Sequence, residues 1–141
     1  MADNLFEGGI PPDIGNCRSL RRLRLYHNRL TGVIPVQFLG SNLQIEYLDL
    51  KDNNLQGEVT SSLGQSKNLS SIDMSMNKLS GIIPPELGKL SNLHRLNLSS
   101  NTLMGLLPPE LGKCHLLYSL DLGFNSLNGS IPNQLASLIS V

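Results

Sequence analysis

Apolar and polar positions in this chain follow neither a sustained helical period nor a long strand period. Residues 93–114 read LHRLNLSSNTLMGLLPPELGKC. Leu93, Leu96 and Leu98 alternate with polar residues over a few positions, which predicts a short strand with one face buried. Asn101, Gly105, Pro108 and Pro109 then break the chain, and Leu103 and Leu111 turn inward between the breaks. The same order recurs in MSMNKLSGIIPPELGKL (74–90) and LGFNSLNGSIPNQLASL (122–138). Its anchors are Asn4, Asn28, Asn53, Asn77, Asn101 and Asn125, spaced by 24 residues except for 25 between Asn28 and Asn53. A fixed period of this length marks a repeat architecture.

One unit of this length cannot bury its own leucines, so neighbouring units stack and share a core. The pattern predicts about five and a half repeats forming a single domain over residues 1–141. The expected strand cores are Leu23–Leu25, Leu48–Leu50, Ile72–Met74, Leu96–Leu98 and Leu120–Leu122, paired in parallel from coil to coil. Each asparagine stands where the backbone turns off its strand. Its amide offers both a donor and an acceptor to orphaned backbone groups, and stacked copies are expected to form a ladder. Gly105 provides close packing or positive φ. Pro108 and Pro109 are expected to hold the return segment extended and to block a helix there. The extra residue of the longer repeat falls near Phe38, Leu39 and Gly40. Thr60 replaces a proline, which predicts a looser corner in that coil.

Composition narrows the picture. Leucine supplies 29 of 141 residues, charged residues are 16%, and the formal net charge is zero. This balance offers no field for nucleic acid or an anionic membrane. No apolar run is long enough to span a bilayer, and the first residues, MADNLFEGG, lack the basic and apolar regions of a signal peptide. Cys17 and Cys114 occupy one phase of the repeat, four coils apart. At about 4.8 Å per stacked strand that is roughly 19 Å, well beyond the ~7 Å that a disulfide spans. Both are therefore expected to be free, buried thiols that pack as small apolar residues.

The phrase GIIPPELGKLSNL (81–93) resembles the plant-specific leucine-rich repeat, L-x-G-x-I-P-x-x-L-G-x-L-x-x-L. FEGGIPPDIGNCRSL and LDLGFNSLNGSIPNQL are similar to stretches of the plant elicitor-peptide (Pep) receptor ectodomains. The resemblance implies a leucine-rich-repeat solenoid of α/β horseshoe type. Five parallel strands would line its concave side, with irregular or 3₁₀ segments on the convex side. Such repeats form the extracellular part of receptor-like kinases and receptor-like proteins, at the plasma membrane or in the apoplast. Their usual capping ends, membrane helix and kinase have no counterpart here, so the pattern predicts a piece of a longer ectodomain. The implied function is capture of a secreted peptide or protein in immunity or development, with a somatic-embryogenesis-type co-receptor kinase as a further partner. Alternatives on the same repeats are an inhibitor of a wall-degrading enzyme such as polygalacturonase, and an ice-binding array.

In this fold, ligands meet the side chains that leave the concave sheet. The pattern places four such columns. The candidate binding residues in them are Arg22, Arg24, Tyr26 and His27 in the first coil, then Tyr47, Asp49 and Lys51. Asp73, Met76, Arg95, Asp121 and Phe124 complete the set. One end is basic and aromatic while the second column turns acidic, which suits an extended peptide of mixed charge. A merely solvated polar face is the alternative for any one of these residues. Strand spacing accounts for the Asp49–Asp73 pair without invoking a metal or an acid–base couple. His27, His94 and His115 lie on different coils, and no nucleophile-plus-base arrangement appears, so neither catalysis nor a cofactor is expected. Three glycosylation sequons begin at Asn68, Asn97 and Asn128, the second of them in the concave sheet.

Overall fold

In the computed structural model, which describes residues 1–39 and 44–138, each L-x-L step of the sequence forms a strand one residue earlier than its leucine pair suggests. Among the described residues there are eleven short strands. They are β1 (Glu7–Gly8), β2 (Arg22–Arg24), β3 (Arg29–Leu30), β4 (Tyr47–Asp49), β5 (Gln56–Glu58), β6 (Ser71–Asp73), β7 (Lys78–Ser80), β8 (Arg95–Asn97), β9 (Met104–Leu106), β10 (Ser119–Asp121) and β11 (Ser126–Asn128). Strands β2, β4, β6, β8 and β10 pair in parallel and in sequence order as one five-stranded sheet. The central residues Leu23, Leu48, Ile72 and Leu96 are buried, and the outer two residues of each strand face away from the core. In β10, packed from one side only, Leu120 is half-buried.

A second layer was not legible in the pattern. Strands β1–β3, β5–β7 and β9–β11 form parallel pairs on the flank of the coil, just beyond each asparagine corner. The glycine in each of these segments takes positive φ, as Gly57 (+84°) and Gly105 (+83°) do. An L side chain is strained in that region, so the sequence here reads as a breaker although the backbone is ladder-bonded.

The convex side carries short 3₁₀ turns at Pro12–Asn16, Val36–Phe38, Ser61–Gln65, Pro85–Lys89, Pro109–Lys113 and Asn133–Ser137. Pro108 is extended, as expected, with φ −70° and ψ 126°. Pro109 instead opens a 3₁₀ turn, because the first position of such a turn needs no N–H donor. Thr60 adopts the same extended geometry as the prolines, and its hydroxyl accepts a hydrogen bond from Ser62 N, so this corner is capped rather than loose. Of the residues around the extra position of the longer repeat, Leu39 is buried and Gly40 lies outside the described residues.

The asparagines hold successive coils together. Asn101 Nδ2 donates to the carbonyls of Leu98 and Ser99 in its own coil and of Met74 in the preceding one, and its Oδ1 accepts from Leu79 N. Asn53, Asn77 and Asn125 repeat the arrangement. The expected ladder thus exists, but it runs from side chain to backbone and not from amide to amide. Each asparagine satisfies polar groups that would otherwise be buried unpaired.

Cys17 and Cys114 are both free thiols. Cys114 is buried and Cys17 is exposed, which corrects the expectation that both are buried. The Pro12–Asn16 turn next to Cys17 packs against a neighbouring 3₁₀ turn on one side only, whereas the turn before Cys114 lies between two others.

Candidate ligand-binding face

The outward residues of β4, β6, β8 and β10, with Arg24 at the edge, line a groove of about 650 Å³. Of the expected binding residues, Arg24, Tyr47, Asp49, Asp73, Arg95 and Asp121 lie in it. Arg22 sits beside it, its guanidinium 4.7 Å from the centre of the Tyr47 ring, so this cation is already shared with an aromatic face. Tyr26, His27, Lys51, Met76 and Phe124 are not among the residues lining the groove. His27 bonds Asp3 through Nδ1 at 2.8 Å and has Asp52 3.8 Å from Nε2. Phe124 is 88% exposed and, like Met76 and His27, holds a positive φ just before its asparagine.

The acidic column is built by the ladder register, in which Arg24 faces Asp49, Asp49 faces Asp73, Asp73 faces Asn97 and Asn97 faces Asp121. Each member also does local work. Oδ1 of Asp49, Asp73, Asn97 and Asp121 accepts from the backbone N–H two residues on, at 3.0–3.2 Å. Ser75 and Ser99 add their hydroxyls to the same oxygens of Asp73 and Asn97. The repeat therefore does use this position, for an oxygen that closes the turn after the strand. It does not need a charge there, since Asn97 performs the same task. Oδ2 of Asp73 accepts from Asn97 Nδ2 at 3.3 Å. Burial pushes the Asp49 carboxyl above its usual value, and the Asp73 carboxylate pushes it the same way. The Lys51 N–H, the Lys51 ammonium and Arg24 pull it back. A cation laid beside this pair would oppose both effects by favouring the charged carboxylates.

A fifth column escaped the sequence reading. The first variable residue of L-x-x-L-x-L also reaches the groove, as Ser70, His94 and Tyr118. Ser70 Oγ lies 3.2 Å from His94 Nδ1, which lies 2.8 Å from the Asn92 carbonyl, and the His94 and Tyr118 rings meet edge to face at 6.0 Å. In the first two coils Arg21 and Glu46 form an ion pair at this position. The signal was present as a run of polar and aromatic residues in one phase of the repeat. The groove thus has an aromatic wall along one side of its acidic floor.

The sequons occupy three different environments. Asn68 is half-buried and donates to Gln44 Oε1, Asn128 is exposed at the end of β11, and Asn97 is tied to Asp73 and Ser99 within the groove. Among the described residues, no helix is long and apolar enough to cross a membrane.

Comparison with known proteins accounts for the coil. One family model described as "Leucine rich repeat" matches residues 18–79, and a second, described in the same words, matches residues 92–114 and 116–138. The chain belongs to the leucine-rich-repeat family. Receptor-like protein 13 of Arabidopsis thaliana is 39% identical over 59 residues, which is 42% of this chain and 6% of that protein. The crystal structure of PEPR1–AtPEP1 superposes with a TM-score of 0.92 at 45% identity, over 96% of this chain and 19% of the other. A plant ice-binding protein superposes with a TM-score of 0.89 at 34% identity, over 96% of this chain and 44% of the other. These leucine-rich repeats are of the kind found in plant receptor ectodomains, and the chain spans a minor part of the length of each relative.

Proposed function

We propose that this leucine-rich-repeat segment binds an extended, secreted peptide along its concave sheet, as part of a plant receptor ectodomain exposed outside the cell. The carrying observation is the column Asp49–Asp73–Asp121. Its Oδ1 atoms close the turns after the strands, a task that Asn97 performs without a charge, so the turn itself does not require the negative charge. A peptide with cationic side chains over this column would find the His94–Tyr118 wall and the Tyr47 ring beside it and the cations Arg24 and Arg95 for its own acids. The likeness to PEPR1, solved as PEPR1–AtPEP1, supports a peptide ligand. An ice-binding face would present regular threonine or serine columns, whereas Arg95 and the three aspartates interrupt the serines here.

The test is calorimetric titration of a twelve-residue Lys/Ser peptide into the chain and into Asp49→Asn/Asp73→Asn, at two salt concentrations. Exposed charge pairs give about 0.2–1 kcal/mol each, so loss of two should weaken binding about two- to thirtyfold and flatten its salt dependence. Equal affinity for both proteins would reduce the column to a solvated surface.

A further inference from the structure

The flank of the coil carries a second surface, remote from the acidic column. From Gly32 onward, the residue after each flank glycine is Val33, Glu58, Ile82, Leu106 or Ser130. Glu58 and Ser130 show that the fold accepts polar residues in this slot, yet the other three are aliphatic and exposed, Val33 by 62%, Ile82 by 58% and Leu106 by 66%. They lie flat over the next coil's glycine. A Cβ built on Gly57, Gly105 or Gly129 would come within 2.9 Å of Val33 Cγ1, 3.1 Å of Ile82 Cγ2 or 2.4 Å of Leu106 Cδ2. The glycines thus let these side chains spread into an apolar floor. Two shallow grooves of about 520 and 500 Å³ share Ile82 and Pro85 and run along this floor.

The charges at its rim are of one sign. Glu58 and Glu86 line the first groove and Glu110 the second, and no lysine, arginine or histidine lines either. Among the described residues none of the three glutamates forms an ion pair. A second copy of the chain laid flank to flank on this face would set like charges together, and an anionic membrane would be repelled in the same way. We infer that the flank is a docking site for a partner protein segment that pairs aliphatic side chains, seated on Val33, Ile82 and Leu106, with lysines or arginines that meet Glu58, Glu86 and Glu110. Such a partner could bind while the concave groove is occupied, because the two surfaces share no lining residue.

The experiment uses the Asp49→Asn/Asp73→Asn/Asp121→Asn form of the 141-residue chain, so that the concave column carries no aspartate to attract the probe. An acetylated ten-residue peptide of alternating leucine and lysine is titrated and followed by amide chemical shifts, beside a leucine/glutamate peptide and a serine/lysine peptide. The expected result is perturbation centred on Val33, Glu58, Ile82 and Leu106, by the leucine/lysine peptide alone. Ile82→Ser/Leu106→Ser should weaken it at least fivefold, and so should Glu58→Gln/Glu86→Gln/Glu110→Gln. All these side chains reach the surface, and an unchanged thermal midpoint verifies that the variants fold. Binding of both leucine peptides alike, perturbation away from these residues, or preference for phosphatidylserine vesicles over the peptide would overturn the inference. None of those results would bear on peptide capture by the concave face.

Discussion

Gly88→Ala should be among the most damaging single-methyl changes in this chain. Gly88 lies in the 3₁₀ turn Pro85–Lys89, and its φ is not in the left-handed region, so the backbone itself would accept alanine. The obstacle is the next coil. A Cβ there would stand 2.3 Å from the Glu110 carbonyl oxygen and 2.6 Å from its carbon, whereas ordinary contact begins at 3.4 Å. The obstructing atoms are backbone, so no rotamer change relieves them, and the two turns must separate by about 1 Å. A gap of that size forfeits a quarter to a half of the dispersion between the facing surfaces, here Leu87, Leu90, Leu111 and Cys114, all fully buried. Overpacking of this kind costs about 1–3 kcal/mol, sometimes more, and the rigid obstacle places Gly88→Ala at about 3 kcal/mol. The control is Gly9→Ala. Nothing approaches a Cβ at Gly9 closer than the Thr31 carbonyl oxygen at 3.8 Å, and its φ is not positive. That variant should be unchanged or more stable by about 0.5 kcal/mol through a less flexible unfolded chain. Urea unfolding followed by circular dichroism reads both. Equal stabilities for the two variants would refute the claim that coil spacing is set by glycine at this corner.

Three further outcomes follow from the same geometry. Asn101→Ala should lose about 1–3 kcal/mol, because the buried Leu79 N–H loses its partner, while the carbonyls of Met74, Leu98 and Ser99 keep donors in Asn77, Asn125 and the Met76 N–H; hydrogen exchange should show the Leu79 amide losing its protection first. Asp49 has its carboxyl raised by burial and by Asp73, so its stabilising contribution is full below its unfolded value of 3.8 and is lost as pH rises through the folded value. Asp49→Asn keeps the turn-closing oxygen, and thermal midpoints should show its advantage over the parent chain growing as pH rises from about 3.5 to 7; a shrinking advantage would contradict the assignment. In the native protein a thiol reagent should label Cys17 at once, while Cys114, which is buried, donates to the Leu87 carbonyl and has its thiol pushed up by burial, should react only on unfolding.

The strands, the asparagine corners and the extended Pro108 were legible because each repeats in one phase against a fixed need: a buried leucine, a paired backbone, a fixed φ. Asp49 was legible as part of a column but not in its double role, since the hydrogen bond that closes its turn depends on where the backbone N–H of Lys51 points. His94 and Tyr118 were missed because the first variable position of the strand motif looked like spacing, and only the path of the backbone shows that it opens onto the groove. Cys17 was misplaced because a sequence phase says which way a residue points, not whether a neighbouring coil covers it.

Peptide capture by the concave sheet is tested most directly by amide chemical-shift mapping of the chain with the Lys/Ser peptide, which carries no aliphatic anchors for the flank. The expected perturbations fall on Tyr47–Asp49, Ser71–Asp73, Arg95–Asn97 and Ser119–Asp121, and fade when Asp49 and Asp73 are both asparagine. Perturbations scattered over the convex turns, or equal in the double variant, would contradict it.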